Sequence, residues 1–275
     1  MYSVLMSVYK KENPLFLQQA MKSMWEQTIP TDDFVLVCDG PLTPELNTVI
    51  EEMQKQHPYS LHVVRLAQNG GLGNALNVGM QYCCNELIAR MDSDDISRPD
   101  RCEKQLKVFD NNTEIDICCG TIEEFFDTPK DIIAKRVLPE QHKDIFYFAK
   151  HRNPFNHMAV MYKKEAVLMA GGYRSFYLLE DYYLWIRMLL RGSKGYNLQE
   201  PLVWVRTGTG MYKRRGGWDY ARSQFKLFKF MRDHGMIGYT EYFFSCIIRG
   251  AVALVPNWLR RFIYEQALRK KDKYK

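Results

Sequence analysis

The sequence predicts an α/β protein, a mostly parallel sheet with helices on both faces, followed by a helical basic tail. Three observations carry that reading. Short apolar, β-favouring runs at 2–8, 34–38, 60–66 and 86–91 alternate with segments of helical periodicity, and strand–helix alternation of this kind builds a parallel, doubly wound sheet. The fourth run stops abruptly at Asp92-Ser93-Asp94-Asp95, as a buried strand does where its C-terminal end opens into a polar crevice. The charge then divides: residues 206–275 hold 16 Lys and Arg against five acids, a net +11, whereas residues 1–205 hold 22 against 27.

Each element has a local reason. From Pro14 to Gln27 the apolar Leu15, Leu17, Ala20, Met21, Met24 and Trp25 recur at helical spacing, with Asn13 as N-cap and Pro14 at the first helical position. After the strand ending at Asp39-Gly40, a second helix is expected over 44–56, a third strand over 60–66 and a third helix over about 72–84. Residues 98–110 read as a helix, 115–120 as a strand, and 122–136 as a mixed segment along the sheet edge. Polar groups from Asn153 to His157 precede a further strand, then a helix at 164–169 and a turn at Gly171-Gly172-Tyr173. Leu184, Trp185, Met188 and Leu189 share one helical face, which sets Glu180 and Asp181 at or just before that helix's N-terminus.

In the tail, Phe225, Leu227, Phe228, Phe230 and Met231 predict a helix rimmed by Lys226, Lys229 and Arg232. The apolar run 243–255 has 13 residues, short of the roughly 20 that span a bilayer. Beyond Pro256, Trp258, Leu259, Phe262 and Ile263 alternate with Arg260, Arg261, Arg269, Lys270 and Lys271, a pattern suited to an anionic membrane interface. A pair of helices packed on the core with a solvated basic end is the alternative.

At 275 residues and 46% hydrophobic the chain can bury a sizeable core, which argues against disorder. Seven cysteines, an odd number with no C-x-x-C, indicate neither a disulfide framework nor a zinc site, and a reducing compartment fits them. The first residues read as a strand rather than a signal peptide, so the expected location is the cytoplasm, peripheral on the inner face of the cell membrane.

Asp92 and Asp94 share a face in an extended chain, and Mg²⁺ or Mn²⁺ held by one or two such carboxylates suits a nucleoside diphosphate. A solvated loop or a helix cap would use the same residues. Asn69-Gly70-Gly71-Leu72-Gly73 permits a close backbone approach before a helix N-terminus, where free amides favour an anion. Arg65, at the end of the third strand, can meet a diphosphate or be a surface arginine.

Ser7-Val8-Tyr9, Val37-Cys38-Asp39-Gly40, Asn69 to Asn77, Asp92-Ser93-Asp94-Asp95 and Glu180-Asp181 together, in this order, resemble the family 2 glycosyltransferases of GT-A fold. The resemblance runs from residue 1 to about 205. It implies a GT-A catalytic domain over 1–205, with a nucleotide-binding half about 1–119 and an acceptor half about 120–205; charge and periodicity set apart the basic amphipathic helical tail over 206–275.

The resemblance also implies roles. Asp39 would read the base, with Tyr9 against a uracil ring; Ser7, Arg65, Asn69, Gly70, Asn74, Asp92 and Ser93 complete the donor-binding set. Asp94, with Asp92, would hold the metal. Asp181 would be the base that takes the acceptor's proton, beside Glu180, in an ionised form favoured by the helix N-terminus. His157 would contact the acceptor. The implied reaction is inverting transfer of a hexosyl group from a UDP-sugar to a saccharide hydroxyl, on a polyprenyl-linked acceptor, in bacterial capsule, exopolysaccharide or O-antigen assembly. Tyr212 to Trp218 lacks the Q-x-x-R-W of processive synthases, which argues against a polymerase.

Two rivals remain at this point. A sugar-nucleotide pyrophosphorylase needs a glycine-rich phosphate signature after the first strand, and Ser7-Val8-Tyr9-Lys10-Lys11 supplies no glycine. A nucleic-acid-binding protein would use the basic tail and leave the carboxylates idle. Nucleic acid is therefore not an expected partner.

Overall fold

The computed structural model describes residues 1–207 and 216–256; the expected basic turn at 212–218 falls largely, and the amphipathic stretch from Trp258 onward wholly, outside them. The strands are β1 (Tyr2–Val8), β2 (Asp33–Cys38), β3 (Leu61–Arg65), β4 (Leu87–Asp92), β5 (Ile96–Ser97), β6 (Ile115–Phe125), β7 (Ile132–Arg136), β8 (Met161–Lys163) and β9 (Lys194–Arg206). The helices are α1 (Pro14–Trp25), α2 (Pro44–Gln56), α3 (Leu72–Tyr82), α4 (Arg101–Asn111), α5 (His142–Ala149), α6 (Lys164–Met169), α7 (Glu180–Leu190), α8 (Trp218–Asp233) and α9 (Tyr239–Leu254).

All strands join one sheet in the order β3-β2-β1-β4-β8-β6-β9-β5, with β7 beside β6. Pairing among β1 to β4 is parallel throughout, and the antiparallel pairs lie in the second half. β2 is buried at every position, as a parallel strand covered on both faces must be. Strand order reverses between β1 and β4. Right-handed crossovers therefore set α1 and α2 on one face and α3 on the other. The switch point lies between Ser7 and Asp92, which are register partners across β1 and β4.

Local chemistry fixes the first helices. Asn13 accepts the Leu15 N–H at 2.9 Å, and Thr43 caps α2 with Pro44 behind it. α3 lies so close to the sheet that a Cβ at Gly79 would come within 2.4 Å of Leu5 and 2.6 Å of Val37. The segment expected along the sheet edge behaves differently: Ile122–Phe125 continues β6 inside the sheet, and only Ile132–Arg136 forms the edge strand β7.

A buried polar network braces the middle of the sheet. Arg101, fully buried on α4, donates to the carbonyls of Arg90 and Val160 at 2.7 and 3.1 Å, and its Nε reaches Gln105. Gln105 in turn donates to the carbonyls of Cys118 and Ala159. β4, β6 and the turn before β8 are thus held in register where Arg90 leads into the carboxylates. A second apolar cluster joins α7 to the tail, with Tyr182, Ile186 and Leu189 against Leu227, Phe228 and Met231 of α8. α8 is therefore packed on the core, with Lys226 and Lys229 on its exposed side as expected.

Candidate active site

The C-terminal ends of β1 to β4 meet the N-termini of α3 and α7 at one edge of the sheet. Asp92, Asp94 and Asp95 present carboxylate oxygens that all lie within 4.8 Å of one another. The alternation argument gave only Asp92 and Asp94. β4 ends at Asp92 and the chain then bends, so Asp95 turns into the cluster as well.

The cluster is crowded with like charge. Burial, then Asp92 and Glu12, push the Asp94 carboxyl up to about 7. Burial, then Asp94 and Asp92, hold Asp95 well above the usual carboxylate range. Ser93, expected to face the donor, is buried and donates to Glu12 Oε2 at 2.6 Å. Arg206, at the end of β9, gives its backbone N–H to Asp95 at 2.9 Å and its Nε to the Asp94 carbonyl at 3.2 Å. Its guanidinium lies 3.8 Å from the Phe16 ring centroid, which fixes that clamp.

Arg90 was not legible as a site residue. It is 1% exposed, and its Nη2 donates to Asp92 Oδ1 at 2.5 Å. Burial is the largest influence and opposes its charge, but Asp92, Tyr173 and Asp181 together outweigh it and the guanidinium is held more firmly protonated than usual. Its Nε and Nη1 have no hydrogen-bond partner. A buried arginine with unsatisfied donors is costly, so packing alone does not account for it.

Asp39 is the hub of the glycine loop. Its carboxylate accepts from Asn69 Nδ2 at 2.8 Å, the Gly70 N–H at 2.7 Å and the Gly71 N–H at 3.0 Å. Gly40 permits this approach: its φ is +84°, and a Cβ there would stand 2.6 Å from the Asn69 nitrogen. Asn74, exposed in the first turn of α3, lies against Gly70. Tyr9, directly after β1, is 41% exposed. Arg65 donates to Asn47 Oδ1 on α2 at 2.7 Å.

The second carboxylate pair opens α7. Asp181 accepts Asn153 Nδ2 at 2.7 Å and the Tyr182 N–H at 2.7 Å. The helix terminus was expected to favour its ionised form. Instead its pKa is raised, because burial outweighs the Tyr182 amide, Asn153 and the fields of Arg90 and Arg136. Glu180 is also raised, chiefly by burial, and packs near Gly73 at the start of α3. Just before the pair, Leu178 takes φ +57°, a conformation unfavourable for a side chain with a Cβ and typical of functional turns. Asn77 clips the two halves together by bonding both the N–H and the carbonyl of Tyr173.

The Nε2 of half-buried His157 lies 2.9 Å from the Tyr173 hydroxyl and its ring packs edge-on to Trp185. Burial and Arg90 depress its pKa, so the imidazole is neutral.

A parallel half-sheet whose switch point ends in a carboxylate cluster, faced by a helix-borne carboxylate pair, has the arrangement of a glycosyltransferase of GT-A fold. Residues 3–174, more than half of the chain, match the profile of Glycosyl transferase family 2, and the chain belongs to that family. It is 42% identical over 269 residues to an uncharacterized glycosyltransferase of Haemophilus influenzae, covering 98% of this chain and 99% of the relative. It is 38% identical to the amylovoran biosynthesis glycosyltransferase AmsE of Erwinia amylovora, covering 97% and 98%. It is 37% identical to the UDP-Gal:alpha-D-GlcNAc-diphosphoundecaprenol beta-1,3-galactosyltransferase of Escherichia coli, covering 98% and 97%.

Among solved structures, the fold is shared with S. aureus TarS 1-349 in complex with UDP-GlcNAc, at TM-score 0.69 and 14% identity over 97% of this chain and 76% of that one. It is also shared with the mannosyltransferase PcManGT of Pyrobaculum calidifontis in complex with GDP-Man and Mn2+, at TM-score 0.65 and 14% identity over 94% and 72%. Family membership decides against the pyrophosphorylase reading and makes the chain a glycosyltransferase of the bacterial surface-polysaccharide type.

Proposed function

We propose that the chain transfers a hexosyl group from a UDP-sugar, with inversion, to a hydroxyl of a saccharide carried on polyprenyl diphosphate. The observation that carries this reading is the meeting of two carboxylate groups of opposite design at one sheet edge. Asp92, Asp94 and Asp95 are too crowded to be ionised together without a counter-charge, and an all-oxygen donor set of this kind suits Mg²⁺ or Mn²⁺. A divalent cation there would neutralise charge on the departing diphosphate. Tyr9 and Asp39, with the loop that Asp39 pins, hold the uridine, and Ser7, Asn69, Gly70 and Asn74 line its approach.

Asp181 is the base. Its raised pKa brings it closer to the working pH, which favours proton transfer, while Asn153 and the Tyr182 amide fix its orientation. As the acceptor oxygen bonds to the anomeric carbon, the bond to the diphosphate oxygen breaks and the acceptor's proton passes to Asp181. Glu180 supports the turn. The E. coli relative's lipid-linked substrate supports a polyprenyl-linked acceptor and a peripheral position on the inner membrane face. Residues 1–205 serve as catalytic domain and 206–275 as the membrane-side appendage.

The test is a donor screen scoring nucleoside diphosphate release from UDP-, GDP- and dTDP-sugars, with and without Mn²⁺, in the presence of a synthetic lipid-linked GlcNAc acceptor. Release from UDP-sugars that needs both cation and acceptor is the expected result. Preference for GDP- or dTDP-sugars overturns the donor assignment.

A further inference from the structure

We propose that α9 is a membrane-docking helix whose outer face lies in the interface of an anionic lipid bilayer. Along this helix only Gly250 and Ala253 are buried. Phe243, Phe244, Ile247, Ile248 and Leu254 are each more than half exposed, and their spacing makes one continuous stripe. A monomer rarely leaves so contiguous an apolar patch in water without a use for it. Beside it runs an apolar groove, lined by Phe225, Tyr242, Phe243 and Cys246, where α9 meets α8. Gly250 lets the helices close there, since a Cβ would come within 2.9 Å of the Phe225 ring.

Charge selects the occupant. α8 exposes Arg222, Lys226 and Lys229 at helical spacing, and the segment 206–275 carries the net +11 noted above. Anionic lipid headgroups complement that segment, whereas a second copy of this chain would bring two such segments together. No helix among the described residues is long and apolar enough to cross a membrane, so the face would lie in the interface rather than span it.

The helix is also wired to the acceptor side of the site. Arg249 of α9 donates to the His151 carbonyl and stacks over Phe228 at 5.1 Å, and Asn153, which orients Asp181, follows two residues later. The proposal deepens the lipid-linked reading above, but lipid binding is measured without any sugar, so the two can fail separately.

The experiment sediments the full-length protein with phosphatidylglycerol–phosphatidylethanolamine vesicles and with phosphatidylcholine vesicles. Salt is set at about 0.1 M and about 1 M, where the screening length falls from about 10 Å to about 3 Å. Wild type should pellet with the anionic vesicles, less so at high salt, and only weakly with phosphatidylcholine. The double variant Phe244→Asp and Ile248→Asp, at exposed positions, should keep its melting temperature and lose anionic-vesicle binding by about tenfold or more. Failure of wild type to pellet overturns the proposal, as does unchanged binding by the variant. A wild-type dimer that the variant dissolves, with no lipid binding by either, assigns the face to a second copy instead. Lipid binding as expected but no sugar transfer in the donor screen leaves α9 a docking helix and overturns the proposed donor and acceptor.

Discussion

The two carboxylate groups use the same chemistry toward opposite ends. At Asp94 and Asp95, burial and the repulsion of neighbouring carboxylates act in the same direction and outweigh the backbone amides and the Arg90 field that oppose them; the hydrogen bond of Arg90 goes to Asp92 Oδ1. At Asp181, burial raises the pKa alone while an amide, an asparagine and the fields of two arginines oppose it. On the reading proposed above, the first group is one that a divalent cation would relieve, and the second a carboxylate placed to take a proton; the neighbours of each carboxylate, more than its burial, distinguish the two.

Asp181→Asn should break the comparison most severely. Turnover is expected to fall by about 10² to 10⁴, with donor affinity nearly unchanged, in a KM-against-kcat comparison of UDP release. Near-normal turnover would leave the second group without a chemical role.

Asp94→Asn comes next. Loss of even an outer-shell partner costs a metal site about 10 to 100-fold in affinity, so losing a ligand should weaken cation-dependent UDP binding at least as much, by calorimetry. The same variant should stabilise the cation-free protein at pH 8. Its folded pKa of about 7 lies above the ordinary 3.8, so the folded chain binds the extra proton and stability falls as pH rises through that window. At 2–4 °C per kcal/mol, roughly, the gain is readable as a rise in melting temperature that vanishes at pH 4. An unchanged melting temperature at pH 8 would mean the cluster is not strained by its own charge.

Arg90→Gln joins the two groups in one measurement. Asp92 loses its partner and Asp181 loses a cation that lowers its pKa, so the acid limb of the kcat profile should move to higher pH. Arg136, Tyr173, Glu180 and Tyr182 also face Asp181 and stay in place. General loosening of the fold would lower kcat without moving the limb.

The smallest effect is expected at Asp39, a carboxylate satisfied by three donors and thus the control for both groups. Asp39→Asn should raise the donor KM by roughly tenfold, given about 1.5–3 kcal/mol per charge-assisted bond, and leave kcat almost unaltered. Equal losses in kcat would move Asp39 from donor binding into the chemistry.

The nucleotide half was legible because its signals are local. β1 to β4 are apolar runs of the right length, Asn13-Pro14 and Thr43-Pro44 are caps that need only neighbours in sequence, and the carboxylates end a strand. What escaped depends on distant partners. β9 is broken by Glu200-Pro201 and persists only because β6 runs beside it, with register shifts at Gly120 and Thr121. Arg90 reads as one polar residue in an apolar strand until Asp92, Tyr173 and Asp181 are seen around it. Glu12 and Asn153 lie in segments with no periodicity, and Arg206 is a lone arginine until its N–H is found on Asp95. The Asp39 and His157 side chains could be placed near the site from sequence, but their bonds to Gly70 and Tyr173 could not.

The Asp95–Arg206 bond has a consequence for synthesis. It joins residues 111 apart, and Asp181 and Asn153 likewise come from the later part of the chain. A nascent chain that has emerged only through Asp95 already carries the three carboxylates, yet lacks both the Arg206 N–H that Asp95 accepts and Asp181, the base of the proposed reaction. Contacts this remote in sequence form late, after the costly closure of long loops. The carboxylate cluster is therefore completed only when the last strand of the sheet, β9, is in place.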